Sequence, residues 1–563
     1  MLRLGLGMDY FETYRDNSDL YIDKSLIIKE VIDNTSQVFL ITRPRRFGKT
    51  LNMTMLKTFF GIKSEEEKAK YKKYFEDLKI WQAGEMYLEE FGKYPVVFMS
   101  LKGGNARNWD DCYEWFKTKL ANVFKEHKYL IDILEEEDKI IFNDVLFERA
   151  SLSQLKQSLA NLSKWFHKYH GQMVYLLIDE YDSPINDGFN NGFDIEVIDF
   201  VRSLFDNVMK TNPFIKKAVL TGITKIAGKS LFSTLNNFTS YNVLDNRFSD
   251  CFGFTEDEVE KAITKCNVEH TMQEIRNWYN GYKFGKTTPI YNPWSIMNVC
   301  SNPDNFLTSY WTFTSSENAL GFVLNNMPVS SKEKLYQLLQ GEELELSIHD
   351  DVTYQTLNES LDCVWTFLLY SGYLTADRVK RDKAMYRLPN FEVKEALTQT
   401  MKRWLTVPME STNEVDDMIS SMLYGEKEDF FDKLSKFVFN AFSYFDVGQF
   451  EPEKVYHAFL LGLMSHVQDE YYFSSNPEAG EGRADVLIMP KSGSLKYNAV
   501  VLEFKKARKE EELQKKAELA IEQIKKKKYI EEAKKRGATK IFIYGVGFCG
   551  REIKMIMEEL SFS

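Results

Sequence analysis

Proline and glycine are scarce in this chain, 13 and 29 among 563 residues, and no Gly/Ser/Pro-rich run or tandem repeat interrupts it. That excludes collagenous, linker-rich and solenoid organisation. Cysteine is scarcer: Cys112, Cys251, Cys266, Cys300, Cys363 and Cys549 are scattered, without a C-x-x-C pair, among only seven histidines. Neither a disulfide framework nor a zinc site fits such spacing, so the thiols read as reduced and core-packed. Apolar runs such as Val174 to Ile178 and Ile541 to Phe548 fall far short of the roughly 18 to 20 residues of a membrane span. The opening Met-Leu-Arg-Leu-Gly-Leu-Gly-Met lacks the apolar region of about 7 to 15 residues found in secretory signals. A cytoplasmic location and no membrane partner are the expectation.

What is present is a globular composition, 44% hydrophobic, 14% aromatic and 28% charged, with length enough for about three or four domains. The net charge of −11 is unevenly spread. Residues 496 to 540 hold 15 Lys/Arg against 8 Asp/Glu, so that segment carries +7 and the remainder −18. A basic end on an acidic body implies separate tasks.

Four continuous apolar runs, Val38 to Thr42, Val96 to Leu101, Val174 to Ile178 and Ala218 to Thr221, alternate with helix-period segments in the first 225 residues. Runs without polar alternation suit strands covered on both faces, so an α/β domain with a parallel sheet is expected at 1–255. From 256 to 444 helical periodicity dominates, as in Ser331 to Leu339, Val393 to Leu405 and Glu428 to Phe442, and a helical middle region is expected. Within it, Trp278 to Phe284 (WYNGYKF) and Ile290 to Ile296 (IYNPWSI) carry turn residues between aromatics and read as packed loops. From 445 to 563 the pattern is an apolar helix (Val455 to Val467), strands at Ala484 to Met489 and Ala499 to Phe504, a Lys/Glu-rich helix near 509 to 535 and a strand at Lys540 to Val546. That is an α-β-β-α-β unit.

The first strand runs into Thr42-Arg43-Pro44-Arg45-Arg46-Phe47-Gly48-Lys49-Thr50 and then a helical segment. Such a layout turns backbone N–H groups and the positive end of a helix toward phosphate oxygens. Lys49 can reach the β- and γ-phosphates, and Thr50 can ligate Mg²⁺. Arg43 replaces the first glycine of G-x-x-x-x-G-K-[ST], a position where a residue with a Cβ adopts φ > 0 only at a cost. Residues Arg43, Pro44, Arg45, Arg46, Phe47, Gly48, Lys49 and Thr50 are the candidate nucleotide-binding set.

The third apolar strand ends in Asp179-Glu180-Tyr181-Asp182. In a phosphate-loop NTPase the first carboxylate holds Mg²⁺ and the second polarises the attacking water, roles that fall to Asp179 and Glu180. The fourth ends Leu220-Thr221-Gly222, where Thr221 is either a γ-phosphate sensor or a plain turn former.

These residues resemble the predicted AAA-ATPase-like family, bacterial phosphate-loop NTPases related to signal-transduction and archaeal-type ATPases. The matching strings are YIDKS (Tyr21 to Ser25), RPRRFGKT (Arg43 to Thr50), LIDEYD (Leu177 to Asp182), TGITKIAGKSLFSTLNN (Thr221 to Asn237) and WYNGYKF, over about residues 1 to 300. An arginine in place of the first glycine looks usual in that family. The resemblance implies ATP as ligand with Mg²⁺.

Near the other end, Gly482-Arg483-Ala484-Asp485 is followed by Val500-Val501-Leu502-Glu503-Phe504-Lys505. An aspartate at the start of one strand and Glu-x-Lys near the end of its neighbour can converge, since Glu503 and Lys505 share one face of a period-2 strand. Two carboxylates, Asp485 and Glu503, suit Mg²⁺ or Mn²⁺ in phosphodiester hydrolysis, with Lys505 orienting water or stabilising the developing charge. Glu-x-Lys alone carries no weight at this charge content; the arrangement does.

It resembles the PD-(D/E)xK nuclease superfamily, a restriction-endonuclease-like α/β domain of order α-β-β-β-α-β, over about 445 to 550. The resemblance carries over Asp485, Glu503 and Lys505 as the catalytic set, with Gln523 and Glu453 as assistants; Ala484 stands where the family name has proline. Lys525 to Lys528, Lys534, Lys535 and Arg536, with Tyr529, either track a nucleic-acid backbone or form a solvated face. His457 reads as a core histidine before a metal ligand.

The expected function is an ATP-binding, ATP-hydrolysing switch fused to a metal-dependent nuclease-like domain acting on DNA or RNA. The alternative is an ATP-gated binding module whose nuclease-like fold does not cut.

Overall fold

Continuous apolar runs become strands that water does not reach. In the computed structural model β1 (Val38–Thr42) and β3 (Val174–Asp179) are buried at every residue. With β2 (Val96–Ser100), β4 (Ile215–Gly222) and β5 (Phe238–Tyr241) they form one sheet of order β2-β3-β4-β1-β5, parallel throughout. The structure describes residues 2–225, 231–232, 235–311, 329–339, 341–349, 352, 363–409, 411–444, 471–476, 483–491, 498–526, 533 and 538–561. Periodicity did not announce β5, whose four residues Phe-Thr-Ser-Tyr are half-buried at the sheet edge and too few and too polar to stand out.

Parallel neighbours require crossovers, and helices supply them. The helix Leu152–His170 is set by a reciprocal capping box between Ser151 and Gln154 and stopped by left-handed Gly171. Its Leu155, Leu159, Leu162 and Phe166 join Phe116, Phe200, Leu204, Leu40, Ile178 and Leu220 in one core. Because β4 lies between β1 and β3, register sets Thr42 beside Gly222 and Ile178 beside Leu220. The carboxyl ends of the strands carrying both motifs thus fall in one row, the edge where open parallel sheets bind ligands.

The chain divides into two compact units, residues 1–328 with 337–394, and 329–336 with 395–563. In the first unit the mainly helical segment after residue 255 also contains two small antiparallel sheets. One is β6-β8-β7, from β6 (Phe254–Thr255), β7 (Tyr282–Phe284) and β8 (Thr287–Tyr291); the other is β10-β11-β9, from β9 (Leu344–Ser347), β10 (Thr375–Lys380) and β11 (Lys383–Arg387). The aromatic stretches expected as packed loops are therefore regular. Trp278 and Tyr279 end the helix Met272–Tyr279, Tyr282 to Phe284 are β7, and Asn292 caps the helix Pro293–Ser301. Elements this short contain less than one period of any hydrophobic pattern.

The second unit is built on a five-stranded sheet in sequence order: β12 (Tyr471–Asn476), β13 (Arg483–Pro490), β14 (Asn498–Lys506), β15 (Lys540–Cys549) and β16 (Glu552–Ser561). Only β14 and β15 pair in parallel, joined by the helix Leu513–Lys526. That helix buries Ala517, Ala520, Ile521 and Ile524 against a core that includes Val501, Ile541 and Ile543. It lies unusually close: a Cβ built on Gly545 or Gly547 would come 2.4 Å from the carbonyl oxygen of Ala517 or Leu513. A second core joins Val486, Leu502 and Tyr544 to Met418 and Met422 of the helix Thr412–Tyr424 and to Phe430 and Phe437 of the helix Lys427–Tyr444. The edge strands β12 and β16 add to the α-β-β-α-β order read from periodicity. The helix expected at Val455 to Val467, with Glu453 and His457, lies outside the described residues, as do Lys527, Lys528, Tyr529, Lys534, Lys535 and Arg536. No described helix is long and apolar enough to cross a membrane.

Candidate functional site

Beyond Thr42 the chain turns through residues 43 to 47 and enters the helix Lys49–Phe60 at Gly48, whose φ of 80° is the left-handed conformation glycine adopts freely. The expected cost of an arginine at the first motif position does not arise. Arg43 is absent from the positive-φ residues, while Arg46 (φ 69°) takes the left-handed turn three residues later. The Arg43 side chain is wholly buried. Its Nη1 donates to Thr42 O at 2.8 Å and Tyr241 O at 3.3 Å, and Nη2 to Arg247 O at 3.4 Å and Phe248 O at 2.9 Å. The guanidinium lies over Phe252 and Phe284 at 5.3 and 5.2 Å, and burial lowers its pKa to about 10. Arg43 thus ties the loop to residues 241–248, its guanidinium committed to their carbonyls.

Aromatic side chains from the small sheet support the rest of the loop. Phe47, buried, meets Tyr282 edge-on and Phe284 at a tilt, both with centroids 5.1 Å away. Exposed Arg46 stacks on Trp294, its guanidinium 4.0 Å from the ring. Lys49 is buried, and its Nζ donates to the carbonyl oxygens of Arg43 at 3.0 Å and Pro44 at 2.9 Å, spanning the loop it belongs to. Burial lowers its pKa against the pull of Glu180 and Asp179.

Opposite the loop, Asp179 closes β3 with no exposure. Thr50 Oγ1 donates to its Oδ2 at 2.8 Å and Thr221 Oγ1 to its Oδ1 at 2.6 Å. Burial raises the Asp179 pKa while these two hydroxyls counteract it. Half-buried Glu180 follows in a left-handed conformation, φ 51°, which turns the chain sharply at the strand end. Two further residues of the same string had no role assigned from sequence. Asp182 accepts from Ile223 N at 2.9 Å and Thr224 N at 3.2 Å, and Tyr181 OH donates to Thr224 O at 2.7 Å. They latch the end of β3 to the chain leaving β4. Their positions in the Asp-Glu-Tyr-Asp run were visible; their partners were not.

In the second unit the antiparallel ladder sets Asp485 directly opposite Glu503. Glu503 has no solvent exposure, and among the described residues neither carboxylate oxygen has a hydrogen-bond partner. It forms an ion pair with Lys505, 3.4 Å from Nζ to Oε1. Lys505 in turn donates to Gln523 Oε1 at 2.5 Å, a contact that the close helix packing over Gly545 and Gly547 makes reachable. Among the described residues, a carboxylate buried with Lys505 alone at that distance is under-compensated when ionised. A divalent cation would compensate that charge, and Asp485 stands opposite Glu503 in the ladder. Among the described residues no group of three His, Cys, Asp or Glu converges.

Comparison with known proteins agrees with this division. Residues 5–232 match the family model described as Predicted AAA-ATPase, and residues 451–558 match that of the PD-(D/E)XK nuclease superfamily. The chain therefore joins an AAA-ATPase-like domain to a PD-(D/E)XK nuclease superfamily domain. It is 27% identical over 431 residues, 74% of either chain, to an uncharacterized protein in the vnfD 5' region of Azotobacter chroococcum mcd 1. Among solved structures, an Aeropyrum pernix ORC2 protein in ADPNP–ADP complexes overlaps 67% of this chain and 91% of its own at 10% identity, TM-score 0.22. Drosophila ORC bound to AT-rich DNA and Cdc6 overlaps 67% and 88% at 8% identity, TM-score 0.16.

Proposed function

We propose that the N-terminal domain binds and hydrolyses ATP and that its nucleotide state controls metal-dependent cleavage of DNA or RNA by the C-terminal domain. Backbone N–H groups of residues 45 to 49 and the Lys49 ammonium receive the phosphates, with Thr50 and Asp179 as holders of Mg²⁺. Glu180 orients and deprotonates the attacking water. Thr221, bonded to Asp179, registers the loss of the terminal phosphate through that carboxylate. When bound at Asp485 and Glu503, Mg²⁺ or Mn²⁺ supplies Lewis acidity and a water of lowered pKa. Lys505, oriented by Gln523 and Glu503, stabilises the charge that develops on the phosphodiester oxygens.

The observation that carries the cleaving reading over the binding-only one is Glu503. Among the described residues it is a buried carboxylate with no hydrogen-bond partner, a charge that a divalent cation would compensate and that nucleic-acid binding alone does not call for. The test is incubation of the full chain with single- and double-stranded DNA and RNA in Mg²⁺ or Mn²⁺, with and without ATP, beside Glu503→Ala and Lys49→Ala. Cleavage lost in Glu503→Ala, and an ATP response lost in Lys49→Ala, are expected. Absence of cleavage on every substrate, with nucleic-acid binding retained in Glu503→Ala, would replace this reading by the ATP-gated binding module.

A further inference from the structure

One charged pair at the carboxyl edge of the parallel sheet belongs to neither motif. Ser100, the last residue of β2, pairs in register with Asp179, and Leu101 N donates to Asp179 O at 2.9 Å. The chain therefore leaves β2 beside the acidic end of β3, and the next residue is Lys102. Its Nζ meets Asp9 Oδ2 at 3.2 Å, with side chains 57% and 48% exposed. Lys102 also feels the charges of Glu180 and Asp179, and Arg46 of the phosphate loop feels Asp9 and Glu180.

Asp9 is held at this rim by the phosphate-loop helix itself. Thr54, buried on that helix, donates to Asp9 O at 2.9 Å and accepts from Phe11 N at 3.1 Å. One carboxylate from the N-terminal segment thus sits near two cations, Lys102 and Arg46, at the edge where Lys49 and Thr50 lie. An exposed pair of this kind contributes little, about 0 to 1 kcal/mol, so a more highly charged anion displaces it readily. The long, flexible lysine stem gives the ammonium the freedom to change partners.

We propose that Lys102 is a further cation of the nucleotide site, which exchanges Asp9 for the terminal phosphate of a nucleoside triphosphate and so sets the preference for triphosphate over diphosphate. This rests on the ATP-binding reading above and adds the element that separates the two nucleotides. Lys49, folded against the loop carbonyls, serves both.

The test is equilibrium binding of ATP-γ-S and ADP to the full chain with Mg²⁺, for wild type, Lys49→Ala, Lys102→Gln, Lys102→Arg and Asp9→Asn. Lys102→Gln is expected to weaken the triphosphate about tenfold, the worth of one charge-assisted hydrogen bond, and to leave ADP unchanged. Lys102→Arg should retain the preference, and Asp9→Asn should tighten the triphosphate by removing its competitor. A triphosphate-to-diphosphate ratio equal in Lys102→Gln and wild type, with Lys49→Ala having lost both nucleotides, would overturn the proposal alone. A wild-type chain that binds neither nucleotide would overturn the ATP-binding reading, and this proposal with it.

Discussion

Thr221 donates its hydroxyl to Asp179 Oδ1 at 2.6 Å, joining the penultimate residue of β4 to the last residue of β3 through a fully buried hydrogen bond. With Thr50 on the other oxygen at 2.8 Å, the carboxylate is fixed from both sides.

Replacing Thr221 by valine keeps the shape and removes one donor from a buried carboxylate. A hydrogen bond to a charged group is worth roughly 1.5 to 3 kcal/mol, so ATP turnover is expected to fall about ten- to hundredfold. Thr221→Ser should restore most of it. Steady-state kinetics check this, and a Thr221→Val variant with wild-type kcat would remove Thr221 from the proposed site.

Arg43→Gly recreates the usual first glycine of the motif, yet stability should suffer. The substitution deletes a buried side chain bonded to the carbonyls of Thr42, Tyr241, Arg247 and Phe248. The expected loss is on the order of 3 to 5 kcal/mol, read as a lowered urea midpoint. An unchanged midpoint would refute the clamp.

Trp294→Ala removes the ring beneath Arg46. A cation–π contact of about 1 kcal/mol translates into a several-fold weaker nucleotide Kd, with little change in turnover at saturation. Fluorescent-nucleotide titration separates the two, and a loss confined to kcat would count against the support role.

In EDTA, Glu503→Gln is expected to stabilise the C-terminal unit by about 1 to 3 kcal/mol, because the wild type buries an under-compensated charge there. Adding Mn²⁺ should raise the wild-type melting temperature and leave that of Glu503→Gln unmoved. Equal responses to Mn²⁺ in both proteins would place the metal elsewhere.

Burial pushes the His127 imidazole down to about 4, and its ring packs on Phe166 at 4.7 Å. The unfolded chain, with a histidine pKa near 6.5, then binds the proton that the folded chain refuses. Stability should therefore fall as pH drops from about 6.5 toward about 4, by about 1 to 3 kcal/mol. His127→Gln should flatten this component in urea denaturation followed across that range; an identical slope would assign it to other groups.

Local pattern alone determined the main features of the first sheet and the residue types at its edge. Val38 to Thr42 and Val174 to Asp179 are apolar without alternation, which only a strand covered on both faces tolerates, and a Gly-Lys-Thr or Asp-Glu at such a strand end is legible because a few adjacent residues carry it. The same holds for Glu-x-Lys on β14, where period 2 sets both side chains on one face. Tertiary structure decided the rest. Arg43 finds its carbonyl partners in residues 241 to 248, and backbone carbonyls carry no side-chain identity by which a sequence could advertise them. Thr221 reaches Asp179 because β4 is inserted between β1 and β3, a choice of strand order that no single strand encodes. Gln523 reaches Lys505 because two glycines on β15 let a helix approach its backbone. Periodicity reports which face of an element is buried; what that face meets is fixed only when distant segments pack together.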